Sequence, residues 1–196
     1  MLELRLLGQF EARLDGRLVT IPSRPSQSLL AYLALTAGTA HRRERLGALW
    51  FIERLAGKVG RMTLDGMVTE YAMADPRAVP NRIAVGPDGA MWFTELMADK
   101  VGRLTTGGVL TEFPTVGVGP VGIAVGLDSG LWLAGFNSNE LVRLNVEGSI
   151  TDRYAVPTEN SLVLQVAAAP DGSIWFTEVT GNKVGRLRPR QPPVNG

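Results

Sequence analysis

Cysteine is absent from this sequence of 196 residues, which excludes disulfides and thiolate metal ligands and agrees with a reducing, cytoplasmic setting. Histidine occurs once, at His41, so any chemistry needing an imidazole in the remaining residues has no candidate. No apolar run approaches the roughly 18 to 20 residues that span a bilayer. The opening MLELRLLGQF also lacks the charged, apolar, then small pattern of a secretory leader, so no membrane partner is expected. Charge of either sign is in short supply as a net quantity, at +1 overall. Residues 1–49 hold seven arginines against four acids, and residues 50–196 hold thirteen basic against fifteen acidic groups. So weak an excess does not announce nucleic acid, which needs several clustered phosphate contacts. No phosphate-cradling glycine loop, zinc-ligand spacing or serine-triad motif occurs.

What the sequence does hold is a repeat. The four tryptophans, Trp50, Trp92, Trp132 and Trp175, are separated by 42, 40 and 43 residues. Lys58, Lys100 and Lys183 each lie eight residues after a tryptophan, and Glu140 takes that place in the third copy. Three residues further stand Arg61, Arg103, Arg143 and Arg186. In the second copy, Ile83–Val85, Met91–Glu95, Val101–Thr105 and Val109–Phe113 read as short strands. They are parted by Pro87-Asp88-Gly89, Ala98-Asp99 and Gly107-Gly108, residues suited to tight turns. Four antiparallel strands in about 40 residues make a propeller blade.

These strings, nearly complete over Gly86–Phe113, resemble the repeat of the streptogramin (virginiamycin B) lyase family across about 140 residues. The third copy departs most, with Leu127 for the turn proline and Gly135 for the glutamate. The resemblance implies a seven-bladed ring, and a lyase that opens a cyclic depsipeptide with a histidine base and a magnesium ion near the channel mouth. Here the first unit lacks a strand before Trp50 and the last lacks one after Arg188, leaving fourteen strand candidates. The expected fold is therefore mainly β: a partial, open propeller of about 3.5 four-stranded antiparallel blades over residues 50–188. Exposed edges would invite a second copy to complete the blades.

Ahead of the repeats, residues 1–49 read as a small α/β head. Leu2–Leu7, Phe10–Leu14 and Arg17–Ile21 are strand-like, with Asp15-Gly16 as a hairpin turn. From Ser23 or Ser26 to Ala37 the apolar spacing of Leu29, Leu30, Leu33 and Ala34 becomes helical, Gly38 is a stop, and Arg42–Trp50 offers a second helix. Residues 2–50 resemble the start of the winged-helix domain of OmpR-type regulators, especially the SARP activators. The resemblance implies a recognition helix and a wing, yet Trp50 leads straight into propeller sequence, so no base-reading residue carries over. Arg42, Arg43 and Arg45 are candidates for phosphate contact or plain solvated charge, making DNA binding weak or absent. Residues 189–196 read as a disordered tail.

Glu53, Glu95 and Glu178 recur at one blade position, where they are either channel-mouth carboxylates or cross-strand partners of Lys58, Lys100 and Lys183. The tryptophans read as packing between blades, and the repeated arginines as donors to nearby carbonyls or carboxylates. No catalytic residue or cofactor is expected, magnesium entering only with lyase activity. Three functions follow: a noncatalytic propeller that senses a small ligand or binds a protein, joined to a vestigial regulator head; a streptogramin B lyase; or a truncated fusion without function.

Overall fold

The computed structural model describes residues 2–5, 11–14, 17–19 and 48–189. The helix expected to end at Ala37, most of the second one, His41, Arg42, Arg43, Arg45 and residues 190–196 lie outside these. Among the described residues there is no helix. Three short strands, β1 (Leu2–Arg5), β2 (Glu11–Leu14) and β3 (Arg17–Val19), form an antiparallel meander. Leu14 pairs with Arg17, the register that a two-residue hairpin at Asp15-Gly16 requires.

Ala48–Trp50, expected as the end of a helix, instead opens β4 (Ala48–Glu53). The run Ala48-Leu49-Trp50-Phe51-Ile52 is β-rich, and an extended conformation lets Trp50 stack on Tyr71 at 5.9 Å with Arg61 over its face at 5.7 Å. Tertiary contacts thus outweigh the local helical pattern. β4 forms a three-stranded sheet with β5 (Lys58–Thr63) and β6 (Val68–Ala72).

The chain divides into two compact units, one built on β1–β6 and the other on the strands that follow. In the second unit, β7 (Pro80–Val85), β8 (Met91–Glu95), β9 (Lys100–Leu104) and β10 (Leu110–Pro114) make one blade. β11 (Pro120–Val125), β12 (Leu131–Gly135), β13 (Glu140–Leu144) and β14 (Ile150–Ala155) make the next. β15 (Val163–Ala168), β16 (Ile174–Glu178) and β17 (Lys183–Leu187) make a third, of three strands. Fourteen strands, β4–β17, match the number counted from sequence; in the second copy Met91–Glu95 keeps its expected bounds and the other three strands shift by one to three residues at their ends.

The core lies between successive blades. Trp92, Ile123, Leu133 and Val142 share one cluster, and Trp132, Val163, Val166 and Phe176 share the next. The first strands β7, β11 and β15 neighbour one another from blade to blade, the second strands β8 and β12 are fully buried, β10 is mostly half-buried and β14 is largely exposed. At β17 the cover ends: Val184 is 65% exposed, whereas Val101 and Leu141 at the equivalent positions are buried.

The two four-stranded blades are pinned at both rims. At one rim, the Asp88 carboxylate accepts from Trp92 Nε1 at 3.0 Å and from Arg103 Nε at 2.6 Å, and Asp128 does the same for Trp132 and Arg143 at 3.4 and 2.6 Å. Asp171 accepts from Arg186 at 2.5 Å. Burial works against ionisation of Asp88 and Asp128, but the hydrogen bonds they accept prevail and hold both carboxyls below the usual range. Each aspartate stands four residues before its tryptophan and fifteen before its arginine. The first copy has Leu46 there, and accordingly Trp50 Nε1 and Arg61 Nε are buried without a hydrogen-bond partner among the described residues. Asp88→Ala would place the second blade in the same condition. It is expected to cost about 1–3 kcal/mol, read as a lower urea midpoint at unchanged slope. An unchanged midpoint would show that Trp92 and Arg103 are held without the carboxylate.

At the other rim, the residue before the repeated lysine position adopts a left-handed conformation in every copy: Gly57, Asp99, Asn139 and Asn182. Asp99 and Asn139 use it to grip the segment entering the next blade. Asp99 accepts from the Thr115 hydroxyl and from Gly117 N and Gly119 N; Asn139 donates to the Val156 and Thr158 carbonyls and accepts from Ser161. Blade order is therefore fixed by hydrogen bonds as well as by apolar burial.

Candidate functional site

The repeated glutamates end the second strand of their blades. In register, Glu95 faces Lys100 and Glu178 faces Lys183, as cross-strand pairing requires. The surface ion pair expected there is not made at Glu95. Lys100 Nζ instead lies 2.8 Å from Glu112 Oε2, on the adjoining strand β10, and the other Glu112 oxygen accepts from Ala74 N at 3.0 Å. Glu95 is left fully buried, and both of its carboxylate oxygens lack a hydrogen-bond partner.

Desolvation pushes the Glu95 carboxyl up to about 7, reinforced by the charges of Glu112 and Asp75 and opposed by Lys100. The reason for the lysine's choice is geometric. Glu112 stands two residues along β10 from Pro114, the register partner of Lys100, and offers a hydrogen bond that raises the Lys100 pKa, whereas Glu95 is fully buried. Glu178 is likewise buried, with one oxygen unpartnered, while Lys183 reaches the Thr158 hydroxyl at 3.5 Å. Glu53, in the first unit, is half-buried.

The third copy shows the same site rewritten. Glu140 replaces the lysine and Arg153 replaces Glu112, so the ion pair persists at 2.8 Å with its signs reversed. A glutamate at 135 would then face Glu140 across the register, and Gly135 removes that conflict. The site's three charged positions vary together, as a coupled electrostatic unit would.

A buried carboxyl that titrates near neutrality is able to hold or deliver a proton. Among the described residues, no group of three His, Cys, Asp or Glu side chains gathers closely enough to hold a metal ion. Glu95 and Glu178 stand in blades separated by the β11–β14 blade, so they do not converge. Among the described residues, no such group fits the magnesium implied by the lyase resemblance, and no step through that ion follows.

The tryptophans are packing residues in three copies: Trp92 and Trp132 are fully buried, Trp92 stacked on Phe113 and Trp132 tilted against Tyr154, each at 5.5 Å. Trp175 is 40% exposed, with Arg186 over its ring at 5.4 Å. Of the repeated arginines, Arg103, Arg143 and Arg186 each donate to an aspartate.

Residues 36–192 match the virginiamycin B lyase family. The virginiamycin B lyase of Nocardia farcinica is 48% identical over 40 residues, which are 20% of this chain and 14% of that protein. Two structures of the Staphylococcus aureus virginiamycin B lyase are similar. One superposes with a TM-score of 0.73 at 31% identity, covering 92% of this chain and 59% of that one. The other is a catalytically inactive histidine-to-alanine variant with quinupristin, at a TM-score of 0.69 and 38% identity, covering 72% of this chain and 49% of that one. This chain thus spans a small part of the Nocardia protein and about half of the Staphylococcus chains. A match over most of the chain, resting on repeats that recur in register, leads to one conclusion: the chain belongs to the virginiamycin B lyase family.

Proposed function

We propose that this chain is a noncatalytic binding propeller, related to the streptogramin lyases but without their base. One observation carries the reading: the single histidine, His41, lies ahead of the first blade, so residues 42–196 contain none. The Staphylococcus aureus lyase becomes catalytically inactive when one histidine is replaced, and its structure with quinupristin was obtained in that form. A propeller without imidazole has no side chain of the usual type for proton abstraction near neutral pH. Family membership supports retention of a ligand-binding surface while leaving the reaction unsupported.

The test is incubation of the full chain with quinupristin and magnesium, following tryptophan fluorescence for binding and mass spectrometry for ring opening. Saturable fluorescence change with intact quinupristin is expected. Ring opening that survives purification to constant specific activity would overturn the noncatalytic reading. A sensing role in a regulator is the finer form of this proposal, supported by the resemblance of residues 2–50 to a regulator's opening segment. The family match already starts at 36, within that segment, so the head is expected to show no sequence-specific DNA binding.

A further inference from the structure

The first strands of the three blades in the second unit share an irregularity. Their pairing shifts register between Pro80 and Ile83, between Pro120 and Ile123, and between Val163 and Val166. Such a bulge re-aims the side chains it carries. Two of the three bulges are pinned by a threonine: Arg82 N donates to Thr94 Oγ1 and Gln165 N to Thr177 Oγ1, each at 3.1 Å. The Thr94 hydroxyl in turn donates to Val121 O at 2.7 Å, tying the first bulge to the second.

The middle bulge carries Gly122, and a Cβ there would stand 2.8 Å from Leu164 O and 3.0 Å from Gln165 Cα. No side chain therefore separates Arg82 from Gln165, although a whole blade lies between theirs. Arg82 crosses the gap. With the Gln165 amide oxygen facing it, Nη2 and Nε donate to that oxygen at 2.5 and 2.9 Å. Nη1 donates to Asn81 O and Oδ1, both at 3.2 Å.

Every one of these acceptors is neutral. Arg103, Arg143 and Arg186 each lie on an aspartate, whereas Arg82 is solvent-exposed and meets no carboxylate among the described residues. A guanidinium bonded only to two amides has no carboxylate partner, and an incoming carboxylate would take Nε and Nη2 from the Gln165 oxygen while Nη1 stays on Asn81. The Gln165 amide nitrogen, on the far side of its carbon from Arg82, supplies further N–H groups beside it.

We propose that Arg82 and Gln165, brought together by the close approach of β11 to β15 at Gly122, form a binding site for a carboxylate group. A carboxylate accepts two parallel N–H bonds from a guanidinium, and charge-assisted bonds of this kind are roughly twice as strong as the neutral ones they would replace. One fixed positive charge matches a monoanion, whereas a phosphate carries close to two charges and three acceptor oxygens. The proposal is separate from the quinupristin reading, and its test uses neither quinupristin nor another streptogramin.

The test follows the arginine Nε–H resonances of the isotope-labelled full chain during titration with sodium acetate, with acetamide as the neutral isostere and inorganic phosphate as the competing anion. The Arg82 signal is identified by its loss in Arg82→Lys. It is expected to shift saturably with acetate in the millimolar range, on the order of 10 mM, as befits one exposed charged contact. Acetamide should leave it in place. Gln165→Glu gives the guanidinium a carboxylate of its own and is expected to weaken acetate binding at least about tenfold, while preserving the rest of the spectrum. A response to acetamide equal to that for acetate, tighter binding of phosphate, an undiminished acetate response in Gln165→Glu, or no shift at all would each overturn the proposal.

Discussion

Gly102→Val is expected to lower folding stability by about 3 kcal/mol, and adding Phe93→Leu to restore most of the loss. In the second blade, Phe93 and Gly102 are register partners, and even the first added carbon on Gly102 would stand 2.1 Å from the Phe93 ring. The ring occupies the space over the glycine, a known way for an aromatic side chain to compensate for a glycine in a strand. Gly60 beneath Phe51 and Gly185 beneath Phe176 repeat the arrangement.

The β11–β14 blade solves the same packing problem with different residues, since Leu133 pairs with Val142. A shorter partner leaves room for a larger one. The double variant therefore copies a combination that this chain already tolerates in the same blade position. Urea unfolding of the wild type, both single variants and the double variant gives the coupling energy directly. A coupling of at least about 1 kcal/mol in favour of the double variant is expected. Strict additivity would mean that the two positions do not share one space and that blade packing is set elsewhere.

Much of this organisation could be read from the sequence because a repeat averages out local ambiguity. Trp92, Lys100 and Arg103 recur at fixed offsets, and strands bounded by Pro87-Asp88-Gly89 or Gly107-Gly108 have little freedom in where they turn. The same logic failed at Ala48–Trp50, where only one copy borders a helical pattern and the stacking of Trp50 on Tyr71 decides the conformation. Asp88 was legible as a turn residue but not as the anchor of Trp92 and Arg103, though its fixed spacing from both was available. Its absence in the first copy, at Leu46, was the stronger signal.

The site was harder to read, for a physical reason. Glu95 and Lys100 face each other across one hairpin, and sequence spacing alone favours an ion pair between them. Which carboxylate takes the lysine depends on burial and on the next strand, where Glu112 competes. Neither quantity is written in the spacing. The contact of Arg82 with Gln165 could not be read at all, because bulges in three blades and a missing side chain at Gly122 have meaning only once those strands lie together.

Glu95→Gln is expected to abolish a loss of stability that the wild type suffers as pH rises toward neutrality. The sign follows from the direction of the shift. Glu95 has an ordinary pKa near 4.5 in the unfolded chain and one of about 7 in the folded chain, so the folded state holds the proton more tightly. Its contribution is fully present below about pH 4.5, declines between that value and about 7, and is gone above. The full difference corresponds to about 3 kcal/mol. Asp88 and Asp128 act in the opposite sense, because their lowered pKa values cost stability only as acid protonates them, below the window in which Glu95 titrates. A glutamine cannot ionise, so its unpartnered amide imposes a penalty that is the same at every pH. The wild type should therefore lose ground against Glu95→Gln from pH 5 to about 7 in urea unfolding, and the gap should level off above. A gap that does not widen across that range would mean that Glu95 finds a counterion on ionising, most simply by drawing Lys100 away from Glu112. In that event Lys100→Met would restore the missing pH dependence, and the coupled charges at 95, 100 and 112 would act as a relay between the buried end of β8 and the exposed face of β10.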